Sequence, residues 1–150
     1  MAETITVLSE PLYAALQKEP FVLLSTMDYE TGSPSMNAVS WLYAKDPETL
    51  RFAVNQRSRI VTNLKHHELV NVTFIGQGSV HAIYGKVRPV AEALEEVPFK
   101  LACYDIDITM VRDAMFYGSR ISVAPEYEKT YDKRAAEKLD AQVFTAMKKA

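Results

Sequence analysis

Apolar and polar residues alternate along several stretches of this chain, and a period of two is typical of half-buried β-strands. The segment LRFAVN shows it best, because Leu50, Phe52 and Val54 fall on one face. Alternating or wholly apolar runs predict six strands, at residues 21–28, 35–46, 50–55, 69–76, 79–90 and 115–125. Short turns separate the first three strands, so we expect these neighbours to pair antiparallel.

The period changes to that of an α-helix in four places. We predict a short opening helix over residues 9–19, a second helix around residues 59–66, a helical segment over 92–104 that Pro98 interrupts, and a closing helix over 133–149. Ser9 and Ser58 are suitable N-caps for the first two helices. The apolar face of the closing helix consists of Ala136, Leu139, Val143 and Met147.

Many strands with tight turns and few helices predict a mainly β fold, a closed or nearly closed antiparallel barrel, because closure removes exposed sheet edges. The chain has 150 residues, 48% of them hydrophobic, so we expect a single domain over residues 1–150. The 17 Lys and Arg nearly balance the 19 Asp and Glu, so charge does not point to a nucleic acid or a membrane surface as partner.

A reducing, cytoplasmic location fits the sequence best. Cys103 is the single cysteine and cannot form a disulfide within the chain. Residues 1–16 lack the basic segment and continuous apolar run of a secretory signal. No stretch approaches 18 apolar residues, so we do not expect a membrane span.

Hydrogen-bond donors are concentrated in AVNQRSRIVTNLKHH, residues 53–67, where the third strand gives way to a helix. Backbone amides, the positive end of the helix dipole and the guanidinium groups of Arg57 and Arg59 can converge there on an anion, best a phosphate. Charge-assisted hydrogen bonds of roughly 1.5–3 kcal/mol each would anchor a phosphorylated cofactor, but a flat apolar group must supply the remaining affinity. The alternative is that Ser58 only caps the helix and both arginines are solvated.

Other reactive residues give weaker signals. His66 and His67 point about 100° apart on a helix and His81 lies on a distant strand, so we predict no metal site. Cys103 has no activating pattern around it and is interpreted as a small core residue. The two carboxylates of the DID segment, residues 105–107, are interpreted as a helix-end or loop feature. No phosphate-binding glycine loop, nucleophile elbow or pair of catalytic acids is visible.

The order of elements over residues 20–90 resembles the pyridoxamine 5'-phosphate oxidase-like, FMN-binding split barrels. The resemblance rests on the successive segments FVLLSTMD, SMNAVSWLYAKD, LRFAVN, QRSRIVTNL, LVNVTFIG and SVHAIYGKVRPV. It implies a six-stranded antiparallel Greek-key split β-barrel with peripheral α-helices. It also implies a homodimer with FMN at the subunit interface, its ring along the second strand and its phosphate near the third strand and the following helix.

The resemblance also implies cofactor-binding residues. The segment similar to the ring-contacting strand consists of Asn37, Ala38, Val39 and Ser40. Val54 and Asn55 are similar to a Thr-Asn pair at the end of the family's third strand. Ser58 and Arg59 are similar to the first two residues of its Ser-Arg-Lys phosphate motif, whereas Ile60 replaces the lysine.

Further departures concern both the phosphate and the substrate. Asn37 stands where the oxidase has arginine, so the grip on phosphate is expected to be weaker and Arg59, with Arg57, has to compensate. Leu42 or Tyr43 replaces a second-strand lysine, and the chain ends in FTAMKKA rather than the Arg-Leu-x-Pro tail of the oxidase. We therefore do not expect pyridoxamine phosphate to be the substrate.

The resemblance thus implies an FMN-dependent oxidoreductase that acts on an unidentified small molecule. The flavin carries the redox chemistry, which explains why no catalytic motif is visible. Two alternatives stay open: a non-catalytic protein that stores or senses flavin, and a related barrel that uses deazaflavin or haem. Trp41 and Tyr43 are either part of the ring's apolar wall or ordinary packing residues. A homodimer is expected also because the apolar face of the closing helix needs a partner surface.

Overall fold

The structure, a computed structural model, describes residues 4–150, which form one antiparallel sheet and three helices. The strands are β1 (Val22–Met27), β2 (Pro34–Val39), β3 (Leu42–Asp46), β4 (Thr49–Asn55), β5 (Leu69–Gly76), β6 (Ser79–Ala91) and β7 (Leu101–Asp113). The helices are α1 (Glu10–Ala15), α2 (Arg59–His66) and α3 (Lys133–Lys149). None of the helices between residues 4 and 150 has the length and hydrophobicity of a transmembrane helix.

The sheet is rolled into a barrel that is split between its two edge strands. The strand order is β2-β1-β5-β6-β7-β4-β3, and every neighbouring pair is antiparallel. Although β2 and β3 are opposite edges of the sheet, only Ser40 and Trp41 separate them along the chain. Such a link spans about 11 Å at most, so the two edges must lie close together. The mainly β split-barrel prediction is therefore confirmed.

The barrel interior is filled by every second side chain of its strands. In β1, Val22, Leu24 and Thr26 are buried while the residues between them are half-buried, as strand alternation requires. Phe52 of β4 and Tyr104 of β7 stack inside with ring centroids 5.5 Å apart. Each fully buried aliphatic side chain, such as Val22 or Leu24, contributes about 1.5–3 kcal/mol to the free energy of folding because it is removed from water.

A second, smaller core lies between α3 and the outward face of β4 and β7. Ala53 and Cys103 face Val143 and Met147 there, and all four side chains are buried. Burial raises the pKa of the Cys103 thiol to about 11, which keeps it protonated and agrees with its predicted role as a core residue. The apolar face of α3 is therefore covered by its own chain, and the sequence argument that this face needs a partner subunit was wrong.

A buried ion pair fastens α3 to the sheet. Arg51 of β4 donates to both carboxylate oxygens of Asp105 of β7, at 2.6 and 3.0 Å. Its remaining Nη1 donates to the carbonyl oxygens of Met147 and Ala150 at the end of α3, at 2.8 and 2.9 Å. The sequence interpretation of DID as a helix-end or loop feature was wrong, because both carboxylates belong to a strand.

The barrel has seven strands rather than the predicted six. The single strand predicted over residues 35–46 is two strands, because the chain turns at Ser40, whose carbonyl accepts a hydrogen bond from the Leu42 amide at 2.9 Å. The strand predicted over residues 115–125 is irregular, and Phe116 and Val123 in it are largely exposed. An apolar run without alternation or a pairing partner does not make a strand.

The helix predicted over residues 92–104 was also wrong. Residues 92–100 form an irregular connection, and β7 begins at Leu101. Residues 101–106 are all buried, because the barrel interior lies on one face of β7 and α3 on the other. A strand covered on both faces loses its period of two, so its apolar run cannot be distinguished from a helix by periodicity.

Candidate functional site

The predicted ring-contacting segment lies on the edge strand β2 and in the link that follows it. Asn37 and Ala38 are exposed, and Val39 and Ser40 are half-buried, with Val39 packed against the barrel core. Because β2 pairs only with β1, the backbone groups along its other edge remain available to a ligand.

The end of β4 lies beside that link. The Ala53 amide donates to the Trp41 carbonyl oxygen at 3.0 Å, which brings Val54 and Asn55 next to Ser40. Val54 is buried in the barrel interior, whereas Asn55 is exposed. The structure therefore brings together the predicted residues at the end of β2 and the end of β4.

Most backbone amides of the predicted anion-binding turn already donate hydrogen bonds to acceptors within the protein. The side-chain oxygen of Asn55 accepts from the Arg57 amide at 2.9 Å, and its carbonyl oxygen accepts from the Ser58 amide at 2.9 Å. Ser58 caps α2 by accepting from the Ile60 amide at 3.1 Å. Among residues 4–150, the Arg59 amide is the one in this turn without an intramolecular acceptor. The capping role of Ser58, which the sequence left as an alternative, is thus realised.

Arg59 is held by two carboxylates of the β1–β2 turn. Its Nε donates to Asp28 at 2.6 Å, and its Nη2 donates to Asp28 and to Glu30, both at 3.1 Å. The guanidinium also lies over the Tyr29 ring, 4.5 Å from its centroid. The hydrogen bond from Arg59 holds the pKa of Asp28 well below its usual range, so this carboxylate stays ionised near neutral pH.

Asn63 fixes the position of that turn and was missed by the sequence analysis. It is buried on α2, donates to the Thr26 hydroxyl at 2.9 Å, and accepts from the Tyr29 amide at 3.0 Å. The signal was present, because Asn63 is three residues after Ile60 and so falls on the apolar face of the helix. A polar side chain on such a face has to find partners inside the protein.

A partly buried polar cluster adjoins the link between β2 and β3. The Trp41 indole donates to Asp140 of α3 at 2.9 Å, and Lys129 bridges Asp140 and Glu19 at 3.2 Å to each. The Tyr127 hydroxyl donates to the Glu19 carboxylate at 2.6 Å. Burial, together with the hydrogen bond to Asp140, raises the pKa of Glu19. The sequence did not predict this cluster, because its members come from four distant segments.

Trp41 and Tyr43 are packing residues in this arrangement. Tyr43 is buried beneath α3, where its ring meets that of Phe144 edge-on with centroids 6.4 Å apart. Trp41 packs against the same small core. The side chains of both residues are therefore held by α3. Trp41 directly follows Ser40 in the chain.

A rolled antiparallel sheet that is split between its edge strands β2 and β3, with the end of β4 beside the link that joins them, defines a split-barrel protein. The chain belongs to the pyridoxamine 5'-phosphate oxidase-like family, because the family model described as Pyridoxamine 5'-phosphate oxidase matches residues 8–116. No protein among the curated ones compared with this sequence matches it.

Several solved structures share the fold at low sequence identity. A candidate pyridoxamine 5'-phosphate oxidase from Lactobacillus delbrueckii is 16% identical with a TM-score of 0.63, over 72% of this chain and 95% of its own. An F420 reductase is 18% identical with a TM-score of 0.59, over 70% and 98%. An FMN-binding protein from Syntrophomonas wolfei is 18% identical with a TM-score of 0.50, over 70% and 82%. At these identities the likeness establishes the fold.

Proposed function

We propose that this chain is an FMN-binding flavoprotein that works as an oxidoreductase on a small molecule. The observation that carries the proposal is the split of the barrel, where the free edge strand β2 leads into a link that is hydrogen-bonded to the end of β4, directly before α2. The family to which the chain belongs is one of flavin chemistry, and the structures with this fold include an FMN-binding protein and an F420 reductase.

The residues along the split fit a flavin. The edge of β2 offers unpaired backbone groups for the heteroatoms of a ring, and Val39 offers apolar surface beside them. At the other end, the Arg59 amide, the Nη1 group of Arg59 and the exposed Arg57 would hold the phosphate. Asn37, Ala38, Ser40, Val54, Asn55 and Ser58 complete the proposed site.

A bound flavin supplies electron and hydride transfer, so the chain itself needs no acid or base at the reacting atoms. The roles left to the protein are to orient the ring and to limit its contact with water. The cluster around Trp41 suits the first role, because its hydrogen bonds tie the segment beside Ser40 to α3 and to Glu19.

One observation favours a second candidate, a protein that binds flavin without turnover. Ile60 is buried where the family motif has lysine, and Arg59 is already paired with two carboxylates. Steady oxidation of a nicotinamide donor by the FMN-loaded protein would separate an oxidoreductase from a storage or sensing protein. The F420 reductase among the similar structures keeps deazaflavin as the alternative cofactor, and the absorption spectrum of the purified protein distinguishes it from FMN and haem.

We expect FMN to quench the fluorescence of Trp41 with a dissociation constant in the micromolar range or below, about 8 kcal/mol of binding free energy. Trp41 is the only tryptophan of the chain, so its emission reports on this site alone. The measurement is a fluorescence titration with FMN, with AMP as a phosphate-bearing control that should leave the emission unchanged. If saturating FMN leaves the emission unchanged and is not retained on a desalting column, the proposed function is wrong.

We further propose that the flavin lies at the interface of a homodimer. The outward face of β1, β2 and β5 keeps large apolar side chains in water, with Met36 63% and Leu69 54% exposed. The outward neighbours Ser25 and Ala38 are small, which lets a second sheet approach closely.

The native chain should therefore elute as a dimer at micromolar concentration, and Met36→Lys should elute as a monomer, because a charge buried at an interface without a partner is unfavourable. Val123→Lys is the matched control, since Val123 is 79% exposed but lies outside β1, β2 and β5. Size-exclusion chromatography with light scattering measures the mass. A native monomer, or equal behaviour of the two variants, would contradict this interface.

A further inference from the structure

The two carboxylates that accept hydrogen bonds from Arg59 affect how well this site distinguishes FMN from riboflavin. A guanidinium has five donor hydrogens. The Nε hydrogen and both Nη2 hydrogens of Arg59 point to Asp28 and Glu30, at 2.6 Å and twice at 3.1 Å. Only the Nη1 group is without a carboxylate partner within residues 4–150.

The surrounding turn holds Asp28 and Tyr29 in position against Arg59. Asp28 also accepts hydrogen bonds from the amides of Glu30 and Thr31, at 3.2 and 3.0 Å. Asn63 fastens the Tyr29 amide to α2 at 3.0 Å, and the Tyr29 ring lies under the guanidinium. The Asp28 carboxylate therefore cannot move away from Arg59 without losing several hydrogen bonds.

The net charge around Arg59 is also unfavourable for binding a dianionic phosphate. Asp28 and Glu30 cancel Arg57 and Arg59, and Ile60 adds no charge. The pKa of Glu30 is lowered by hydrogen bonds from Tyr29 and Arg59, so both carboxylates are ionised near neutral pH. A phosphate approaching Arg59 would meet two negative charges that already occupy most of its donors.

We propose that Asp28 and Glu30 are specificity determinants of the flavin site, which compete with a phosphate for Arg59 and so make the chain bind FMN little better than riboflavin. The inference rests on the proposed function, since it concerns the phosphate end of the same site. It assigns a role to the β1–β2 turn, which contains none of the residues that were predicted to bind the cofactor.

The test compares the affinities of FMN and riboflavin for the native chain, Glu30→Gln and Asp28→Asn. Glu30→Gln is the safer variant, because the Glu30 side chain is exposed and, within residues 4–150, forms an ion pair with Arg59 alone. We expect FMN to bind about threefold tighter to Glu30→Gln and about tenfold tighter to Asp28→Asn, with riboflavin unchanged, because each change removes a negative charge that competes with phosphate for Arg59. Glu137→Gln, the same change of charge at an exposed position on α3, should alter neither affinity.

Arg59→Ala should act in the opposite direction, weakening FMN more than riboflavin, because it leaves both carboxylates unneutralised beside the phosphate. If neither Glu30→Gln nor Asp28→Asn tightens FMN binding, or if riboflavin tightens equally, the inference is overturned while the proposed function stands. Circular dichroism spectra that match the native chain would show that the variants are folded.

If no variant binds either flavin, the proposed function fails, and inorganic phosphate then tests the inference by itself. Phosphate should raise the melting temperature of Glu30→Gln and Asp28→Asn more than that of the native chain and Glu137→Gln, because a ligand that binds only the folded state stabilises it. Equal shifts in all four proteins would overturn the inference.

Discussion

Replacing Asp105 by alanine should lower the free energy of unfolding by about 3–5 kcal/mol, the range for breaking a buried ion pair on one side. The Asp105 side chain is fully buried, and Arg51 beside it is 4% exposed. Without the carboxylate, the guanidinium of Arg51 would remain buried, and the acceptors left to it among residues 4–150 would be the carbonyl oxygens at the end of α3. Loss of the pair should therefore weaken both the contact of β4 with β7 and the docking of α3.

The measurement is urea unfolding followed by the fluorescence of Trp41, which packs against the core beneath α3. Asp107→Ala is the matched control: it removes a carboxylate from the same strand, but that carboxylate is exposed and its loss should cost less than about 1 kcal/mol. The double variant Arg51→Met with Asp105→Leu should be more stable than Asp105→Ala, because it leaves no unpaired charge. Equal destabilisation by Asp105→Ala and Asp107→Ala would disprove a special role for the pair.

The same pair predicts a pH dependence. Burial raises the pKa of Asp105, but the hydrogen bond and charge of Arg51, with Lys45 and Arg88 nearby, outweigh it and hold the pKa below its usual value. A carboxylate with a lowered pKa stabilises the fold above its unfolded pKa of about 3.9, and this stability is lost as the pH falls through the folded pKa. Asp105→Ala should therefore lose less stability than the native chain between about pH 5 and pH 2.

The elements that the sequence predicted correctly are those whose signal is local. Ser9 and Ser58 mark the starts of α1 and α2 because a cap acts on an amide two or three residues away. β4 was recognised because its inward residues Leu50, Phe52 and Val54 alternate with outward ones. Such patterns depend only on the geometry of one helix or strand, so they survive without knowledge of the fold.

The errors arose where tertiary packing decides the outcome. β7 carries buried residues on both faces because α3, which follows it by twenty residues, covers its outward side. The break at Ser40 depends on β2 and β3 pairing with different strands at opposite edges of the sheet. Neither fact leaves a mark in the local period of the sequence.

The candidate site divides in the same way. The resemblance singled out Arg59 through its neighbours Ser58 and Ile60, but the carboxylates that bind it are about thirty residues earlier, in Asp28 and Glu30. Partners on different elements are set by the pairing of β1 with the rest of the sheet and by the docking of α2. Whether Arg59 is available to a ligand is therefore a property of the fold and could not be read from the motif.

Gly85→Ala should destabilise the chain by about 3 kcal/mol or more, because overpacking a core against backbone leaves no easy relaxation. Gly85 is buried on β6 at an irregularity in the pairing with β7. A Cβ at this position would collide with the Ile106 side chain and approach the carbonyl oxygen of Asp107 to 2.7 Å. Ile106 is fully buried, and the Asp107 carbonyl belongs to the strand, so neither can move without disturbing the sheet.

The control for Gly85→Ala is Gly76→Ala, where the atoms nearest to the added Cβ belong to the outer end of the Phe74 ring, the first of them at 2.7 Å. That ring is half-buried and can turn aside, so we expect a loss below about 1 kcal/mol, offset in part by the lower entropy of the unfolded chain. Urea unfolding of both variants measures the difference. The pairing of β6 with β7 connects the half of the barrel that contains β1 to the half that contains β4. Equal stabilities of the two variants would mean that β7 shifts easily at Asp107, and would disprove that β6 and β7 are packed rigidly at Gly85.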